Sequence, residues 1–418
     1  MKLHRNTVEA ILVALKEIFE GEKYADRVIE KVLKSNPKWG ARDRAFIAEN
    51  TYEIVRWWRL ILFTIKVEEL ANPQKYGEGL GFYWRVFGAW CVLNRQELPN
   101  WQEFKYIDAK AVQRRYQQAQ TERKIMQAIP DWLDELASLE LGEQWNSEMT
   151  AMNQKAPVIL RTNTLKTSPP ELQKLLAEDN ITTYSFADTA INPAQLPLPY
   201  ALQLAQRRNI FTSVHFKNGL FEIQDAASQL VAPFLDVQEG MRVVDACAGA
   251  GGKTLHLATL MNNKGRVISM DTESWKLDEL RKRTARNGIS NVEPRVIDSN
   301  KVIKRLENSA DRLLLDVPCS GLGVLKRNPD AKWKLHPDFI TRIKATQAEI
   351  LGNYVSMLRK DGVLVYATCS ILPSEGEEQV RKFLERQDGK FELLAELRTS
   401  PAQTGFDGFY MAKLVKKS

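Results

Sequence analysis

The stretch Arg242-Val-Val-Asp245-Ala-Cys247-Ala248-Gly249-Ala250-Gly251-Gly252-Lys253-Thr254 decides how this chain is read. An apolar strand core ends on an acid, enters a glycine-rich turn and continues as a helix, the arrangement by which backbone is brought close to a cofactor. Two rival readings of the turn fail on single positions. A phosphate-cradling P-loop needs a glycine where Cys247 stands, and a dinucleotide fingerprint needs one where Thr254 stands.

Downstream the texture is an alternation. Apolar strand cores at Arg266–Asp271, Glu293–Ile297, Arg312–Asp316 and Val363–Ala367 are mostly separated by helical segments, and Phe391–Leu394 and Gly408–Val415 are candidate edge strands. This rhythm predicts an α/β domain with an open, mainly parallel, doubly wound sheet, whose ligands lie beyond the C-terminal strand ends at a switch point.

Upstream the pattern differs. From about Thr7 to Gln144, Ile11, Leu12, Leu15, Ile18 and Phe19 recur at helical spacing, Val28, Ile29, Val32 and Leu33 follow, and Asp43–Lys66 reads as one long amphipathic run. Its aromatic residues, among them Trp57 and Trp58, fall at helical spacing and are expected in a core. Between the two regions, strand signals at Val158–Leu165, Ile181–Phe186, Leu202–Ala205 and Gly219–Ile223, with a helix at Pro170–Glu178, predict a small α+β module. The expected organisation is therefore multidomain: an all-α module over 1–145, an α+β module over 146–222 and an α/β domain over 223–418, the last expected to bind its cofactor in isolation.

Composition narrows the class. Hydrophobic residues make up 44% and charged residues 27% of the 418, as in ordinary globular proteins, and no apolar run approaches a membrane span. The 59 Lys and Arg against 52 Asp and Glu give a net charge of +7, which favours a polyanionic partner. Basic residues cluster at Arg42, Arg44, Arg56 and Arg59, at Arg207 and Arg208, and at Lys282, Arg283 and Arg286. The four cysteines, Cys91, Cys247, Cys319 and Cys369, lack the spacing of a metal site or redox pair, so no metal is expected and a reducing cytoplasm is.

Acids and thiols recur at the ends of the predicted strands. Asp271, Asp298 and Asp316 follow the second, third and fourth strands and would converge on one crevice, the first suited to ribose hydroxyls and the second to an adenine amino group. The fourth strand runs into Asp316-Val-Pro318-Cys319-Ser320-Gly321-Leu-Gly323 and the fifth into Thr368-Cys369-Ser370, so neighbouring strands each end in a thiol. A thiolate suits addition to carbon 6 of a cytosine, which makes carbon 5 nucleophilic, and an acid such as Asp316 suits the density that develops at N3. A second cysteine could then assist release. On these grounds alone the two thiols are not ranked.

These segments, with Pro157-Val-Ile-Leu160-Arg161-Thr162-Asn163 and Gln224-Asp225-Ala-Ala-Ser228, resemble the RNA cytosine-5 methyltransferases of the bacterial RsmB and eukaryotic NOP/NSUN group. The resemblance covers roughly the last two-thirds of the chain, and the helical N-terminus is similar to the NusB-like module of the RsmB branch. It implies a class I methyltransferase domain with an RRM-like module, and S-adenosyl-L-methionine held by Cys247, Ala248, Gly249, Ala250, Gly251, Gly252, Lys253, Asp271, Asp298 and Asp316. It further implies Cys369 as nucleophile, Cys319 as the group aiding product release, and Asp316 and Lys253 near the cytosine. Arg161, Asn163 and Arg327 are the expected RNA contacts. The partner is expected to be structured RNA, from the small ribosomal subunit, bound by a cytoplasmic monomer. A transfer-RNA cytosine methyltransferase and a non-catalytic RNA-binding assembly factor are the alternatives. The family's usual Ala-Pro-Gly-Gly-Lys is here Gly249-Ala250-Gly251-Gly252-Lys253, which loosens the turn.

Overall fold

The computed structural model describes residues 3–67 and 79–417, so part of the predicted helical stretch, 68–78, lies outside the described residues. The chain forms two compact units, Met1–Asn153 with Leu325–Pro337, and Gln154–Val324 with Asp338–Ser418.

The first unit is helical because its apolar residues recur every three or four positions. The helix Arg5–Phe19 buries Val8, Ile11, Leu12, Leu15 and Ile18 along one face, and Ala25–Ser35 buries Val28, Ile29 and Val32. The predicted run from Asp43 to Lys66 is two helices, Ala41–Arg56 and Trp58–Thr64, because Trp57 leaves helical geometry at φ −98°, ψ 18°. Trp58 consequently lies fully buried and stacked on Phe19, in the core role expected for these aromatics.

This unit also holds a segment from far along the sequence. The Arg56 guanidinium, buried and paired with Glu53, donates to the carbonyls of Met152 and Lys326 at 3.3 and 2.9 Å. Trp333 Nε1 donates to the Val55 carbonyl at 2.7 Å, and Asp330 accepts from the Ala25 N–H at 3.0 Å. The helical unit thus runs to Asn153, beyond the boundary at 145, and takes in 325–337 from within the region read as the 223–418 domain.

In the second unit, β1 (Ile159–Thr162), β2 (Thr183–Ser185), β3 (Ala201–Leu204) and β4 (Phe221–Ile223) form an antiparallel sheet in the order β2-β3-β1-β4. Helices Pro169–Glu178 and Val214–Lys217 complete a split βαβ pattern, βαββαβ. The first helix starts where Ser168 caps the Glu171 N–H and Pro169 occupies the opening position.

The larger sheet contains β5 (Arg242–Asp245), β6 (Arg266–Asp271), β7 (Val292–Val296), β8 (Ala310–Asp316), β9 (Leu358–Thr368), β10 (Phe391–Thr399) and β11 (Phe409–Lys416) in the order β10-β11-β9-β8-β5-β6-β7. β5 to β9 are parallel to one another, and β11 enters antiparallel between β9 and β10. Side chains alternate between two cores: Val243, Leu314 and Val365 pack on one face, Val244, Leu313, Leu315 and Leu364 on the other. Both faces being covered, these strands read as nearly continuous apolar runs. The order reverses between β5 and β8, so their C-terminal ends flank the switch-point crevice.

Candidate active site

At that crevice β5 hands the chain to the glycine turn. Gly249 and Gly251 adopt φ +54° and +88°, and a Cβ on Gly251 would stand 2.1 Å from Leu280 Cδ1. The turn therefore needs glycine at 251 for both conformation and space. With Gly249 also left-handed, the departure from Ala-Pro is part of the turn's geometry. Asp271, at the end of β6, accepts from the Gly249 N–H at 2.9 Å and from the Glu273 N–H at 2.9 Å, while Arg283 donates to the Ala250 carbonyl at 2.8 Å.

Of the predicted strand-end acids, Asp271 and Asp316 converge, together with Asp245, as a charge distribution, and Asp298 does not join them. Cys247 is a thiol pushed well above its usual range by burial first, then by Asp245, Asp316 and Asp271, so all three carboxylates act on one point. Asp298 is exposed beyond β7 and accepts from the Ser299 hydroxyl at 2.9 Å. A cofactor bearing a sulfonium, an ammonium and a ribose diol suits this donor set. Asp245 is buried with Oδ1 unpartnered, and each Asp271 oxygen receives a single backbone donor, with Lys276 Nζ 3.9 Å from Oδ1.

The thiols meet one strand further along. Asp316 on β8 registers with Ala367 on β9, and beyond that pair the Cys319 and Cys369 sulfurs lie 3.1 Å apart. Lys253 donates to Asp316 at 2.6 Å and lies over the Phe409 ring. Burial pulls the Lys253 ammonium down, but Asp316 and then Cys369 outweigh it, and the lysine is held above its ordinary range. The Cys319 thiol is held well above its range by its hydrogen bond to Cys369, by burial and by the nearby charges, Glu375 among them.

Arg161 and Asn163 correct the expectation of RNA contact. Arg161 is buried and donates to Gln224 and, at 2.7 Å, to the Gly252 carbonyl, and burial pulls its guanidinium down to about 9 despite Glu222. Asn163 is buried between the Gly219 and Asn287 carbonyls at 2.8 and 3.0 Å. Arg283 and Arg286 likewise pair with buried Glu222. Asn163, Arg283 and Arg286 hold the small sheet against the helix Ser274–Asn287, while Arg161 ties it to the glycine turn at Gly252, because a buried cation needs its acceptors inside the protein. Arg327 lies half-buried in the helical unit.

Sequence reasoning missed Glu375, Gln347 and Phe409. Glu375 is fully buried beneath the thiols, though it opens the acidic run Glu375-Gly-Glu377-Glu378, which reads as a solvated helix start. Phe409 could have been found from its place at the head of the predicted last strand.

A seven-stranded sheet of this order, with a glycine turn and carboxylates at its switch point, defines an S-adenosylmethionine-dependent methyltransferase of class I. The chain belongs to the 16S rRNA methyltransferase RsmB/F family, whose model matches residues 232–415, while the RsmF/B-like ferredoxin-like domain model matches 129–207. It is 30% identical to the probable ribosomal RNA small subunit methyltransferase B of Synechocystis sp., over 96% of this chain and 97% of that one. To the ribosomal RNA small subunit methyltransferase B of Vibrio vulnificus it is 33% identical, over 69% and 67%. Among solved structures, PH0851 superimposes over the whole of both chains with a TM-score of 0.83 at 25% identity. No helix among the described residues is long and apolar enough to cross a membrane.

Proposed function

We propose that this chain methylates carbon 5 of a cytosine in 16S ribosomal RNA, with Cys369 as nucleophile and Cys319 as the group that aids release. The observation that carries this reading is the 3.1 Å contact of the two sulfurs beside the Lys253–Asp316 pair. In this reading the Cys369 sulfur bonds to carbon 6, and the electron pair of the 5,6 double bond shifts toward N3. There Asp316 orients the base and Lys253 is the member of the pair with a proton to lend. S-adenosylmethionine, when bound, supplies an electrophilic methyl group. After transfer the carbon-5 proton leaves and the sulfur–carbon bond breaks, restoring the double bond. Cys319, in contact with Cys369, is the nearby group suited to that proton traffic.

The same reading takes the protein as a cytoplasmic monomer meeting ribosomal RNA there. The test is methylation of ribosomal and transfer RNA from a strain lacking the gene, with 5-methylcytosine mapped and adducts resolved on denaturing gels. Cys369→Ala should abolish transfer without trapping RNA, and Cys319→Ala should leave a protein–RNA adduct. An adduct with Cys369→Ala instead would reverse the roles, and labelling confined to transfer RNA would replace the substrate. Light scattering on the eluting protein checks the monomer.

A further inference from the structure

The serines that follow the two thiols share one carboxylate. Glu375 sits in the short turn Pro373–Glu375 below the exits of β8 and β9 and is fully buried. Its Oε1 accepts from the Ser320 and Ser370 hydroxyls at 2.5 and 2.6 Å, and its Oε2 from the Ser320 N–H and Gln347 Nε2 at 2.8 and 2.9 Å. Gln347 also donates to the Pro318 carbonyl at 3.0 Å, and Tyr366 donates from its hydroxyl to the Glu375 carbonyl at 2.8 Å.

The two exits are built alike. Each serine oxygen accepts from the N–H two residues on, Leu322 at 3.3 Å and Leu372 at 3.2 Å, and the hydroxyls lie 3.2 Å from each other. Each cysteine is thus fixed by a serine whose other partner is Glu375. A carboxylate placed wholly out of water is held there only by good hydrogen bonds, and apolar packing alone could have joined these loops. Four donors from three segments converge on it directly behind the reactive sulfurs.

We propose that Glu375 is a positioning residue for both thiols: it ties Ser320 to Ser370 and so keeps Cys319 and Cys369 in contact at one edge of the base site. The inference rests on the covalent reading for its catalytic consequence, but the clamp itself can be tested without catalysis. Two sulfurs serving one carbon–carbon bond must hold their mutual geometry through the cycle, and a misplacement of about 1 Å can reduce a rate ~100-fold.

The experiment compares wild type with Glu375→Ala, which removes the acceptor shared by the Ser320 and Ser370 hydroxyls, the Ser320 N–H and Gln347. Sulfur proximity is read by treating each protein with diamide, which takes the two thiol hydrogens onto its diazene bond as the disulfide forms, and quantifying the Cys319–Cys369 peptide pair by mass spectrometry. Cross-linking should slow at least ~10-fold and kcat fall ~100-fold, with KM for RNA and S-adenosylmethionine affinity within about threefold of wild type. Unchanged cross-linking overturns the clamp, whether or not kcat falls. Should Glu375→Ala fail to fold, Ser320→Ala with Ser370→Ala removes the hydroxyl ties while leaving the carboxylate the backbone N–H of position 320 and Gln347 as partners, and the same two losses are expected. If Cys319→Ala traps no RNA yet cross-linking still depends on Glu375, the covalent reading fails and the clamp stands.

Discussion

Lys253 reaches from the first turn of the helix after the glycine loop to Asp316 at the end of β8, a 2.6 Å contact that joins the cofactor turn to the strand that leads into Cys319. Because Asp316 outweighs burial in holding the lysine charged, the pair is one electrostatic unit. Lys253→Met should leave Asp316 with no cation beside it and lower kcat by about 100- to 10,000-fold, the range for loss of a proton donor. Steady-state methyl transfer checks this, and a loss confined to KM for RNA would instead make Lys253 a binding group.

Asp271 accepts from the turn that it also faces, so its replacement removes a turn anchor together with the expected ribose contacts. Asp271→Ala in the full-length chain should weaken S-adenosylmethionine binding by about 1.5–3 kcal/mol. Calorimetry measures it, and an unchanged affinity would take Asp271 out of the site.

The two left-handed glycines should differ in tolerance. Gly251→Ala meets Leu280 as well as an unfavourable φ, whereas a Cβ on Gly249 meets nothing within 4 Å. Backbone strain alone is worth about 1–2 kcal/mol, so Gly249→Ala should lower stability by about that much and Gly251→Ala by more. Urea unfolding of both variants provides the comparison, and equal losses would mean that Leu280 yields freely.

Asp245 carries a pH dependence of definite sign. Burial pushes its carboxyl up to about 7, Thr254 opposing and Asp316 adding to the rise. Between the ordinary range and about 7 the folded state holds the proton more tightly than the unfolded state, so this group's contribution to stability falls as pH rises through that window. Asp245→Asn has no such titration. Without added cofactor, its Tm relative to wild type should climb from about pH 5 to about pH 8, and a constant difference would show that Asp245 stays ionised throughout.

The catalytic sheet was legible because its strands carry their own punctuation. β5 and β6 begin on arginine and end on aspartate with apolar residues between, save Ser269, and the structure gives both the bounds read from sequence. Parallel strands bring all their C-terminal ends to one edge, so acids and thiols at those ends could be grouped before any distance was known. What escaped depends on burial. Arg161 looks the same in sequence whether it faces RNA or Gly252, and Glu375 looks like its exposed neighbours Glu377 and Glu378. Trp57 interrupts a helix with no proline or glycine to announce it, since the break serves the packing of Trp58 on Phe19.

Trp333 and Asp330 belong, by sequence, to the stretch between the Cys319 exit and the helix that carries Gln347, yet their partners Val55 and Ala25 are in the helical unit. A gene trimmed to 223–418 would retain the indole and carboxylate while discarding their partners Val55 and Ala25, and one trimmed at 145 would part the same pairs. Expression of either fragment should therefore yield a sticky polypeptide rather than a smaller enzyme. In the gene, the helical unit is therefore written in two separate pieces, residues 1–153 and 325–337, and no single cut separates its coding sequence from the rest.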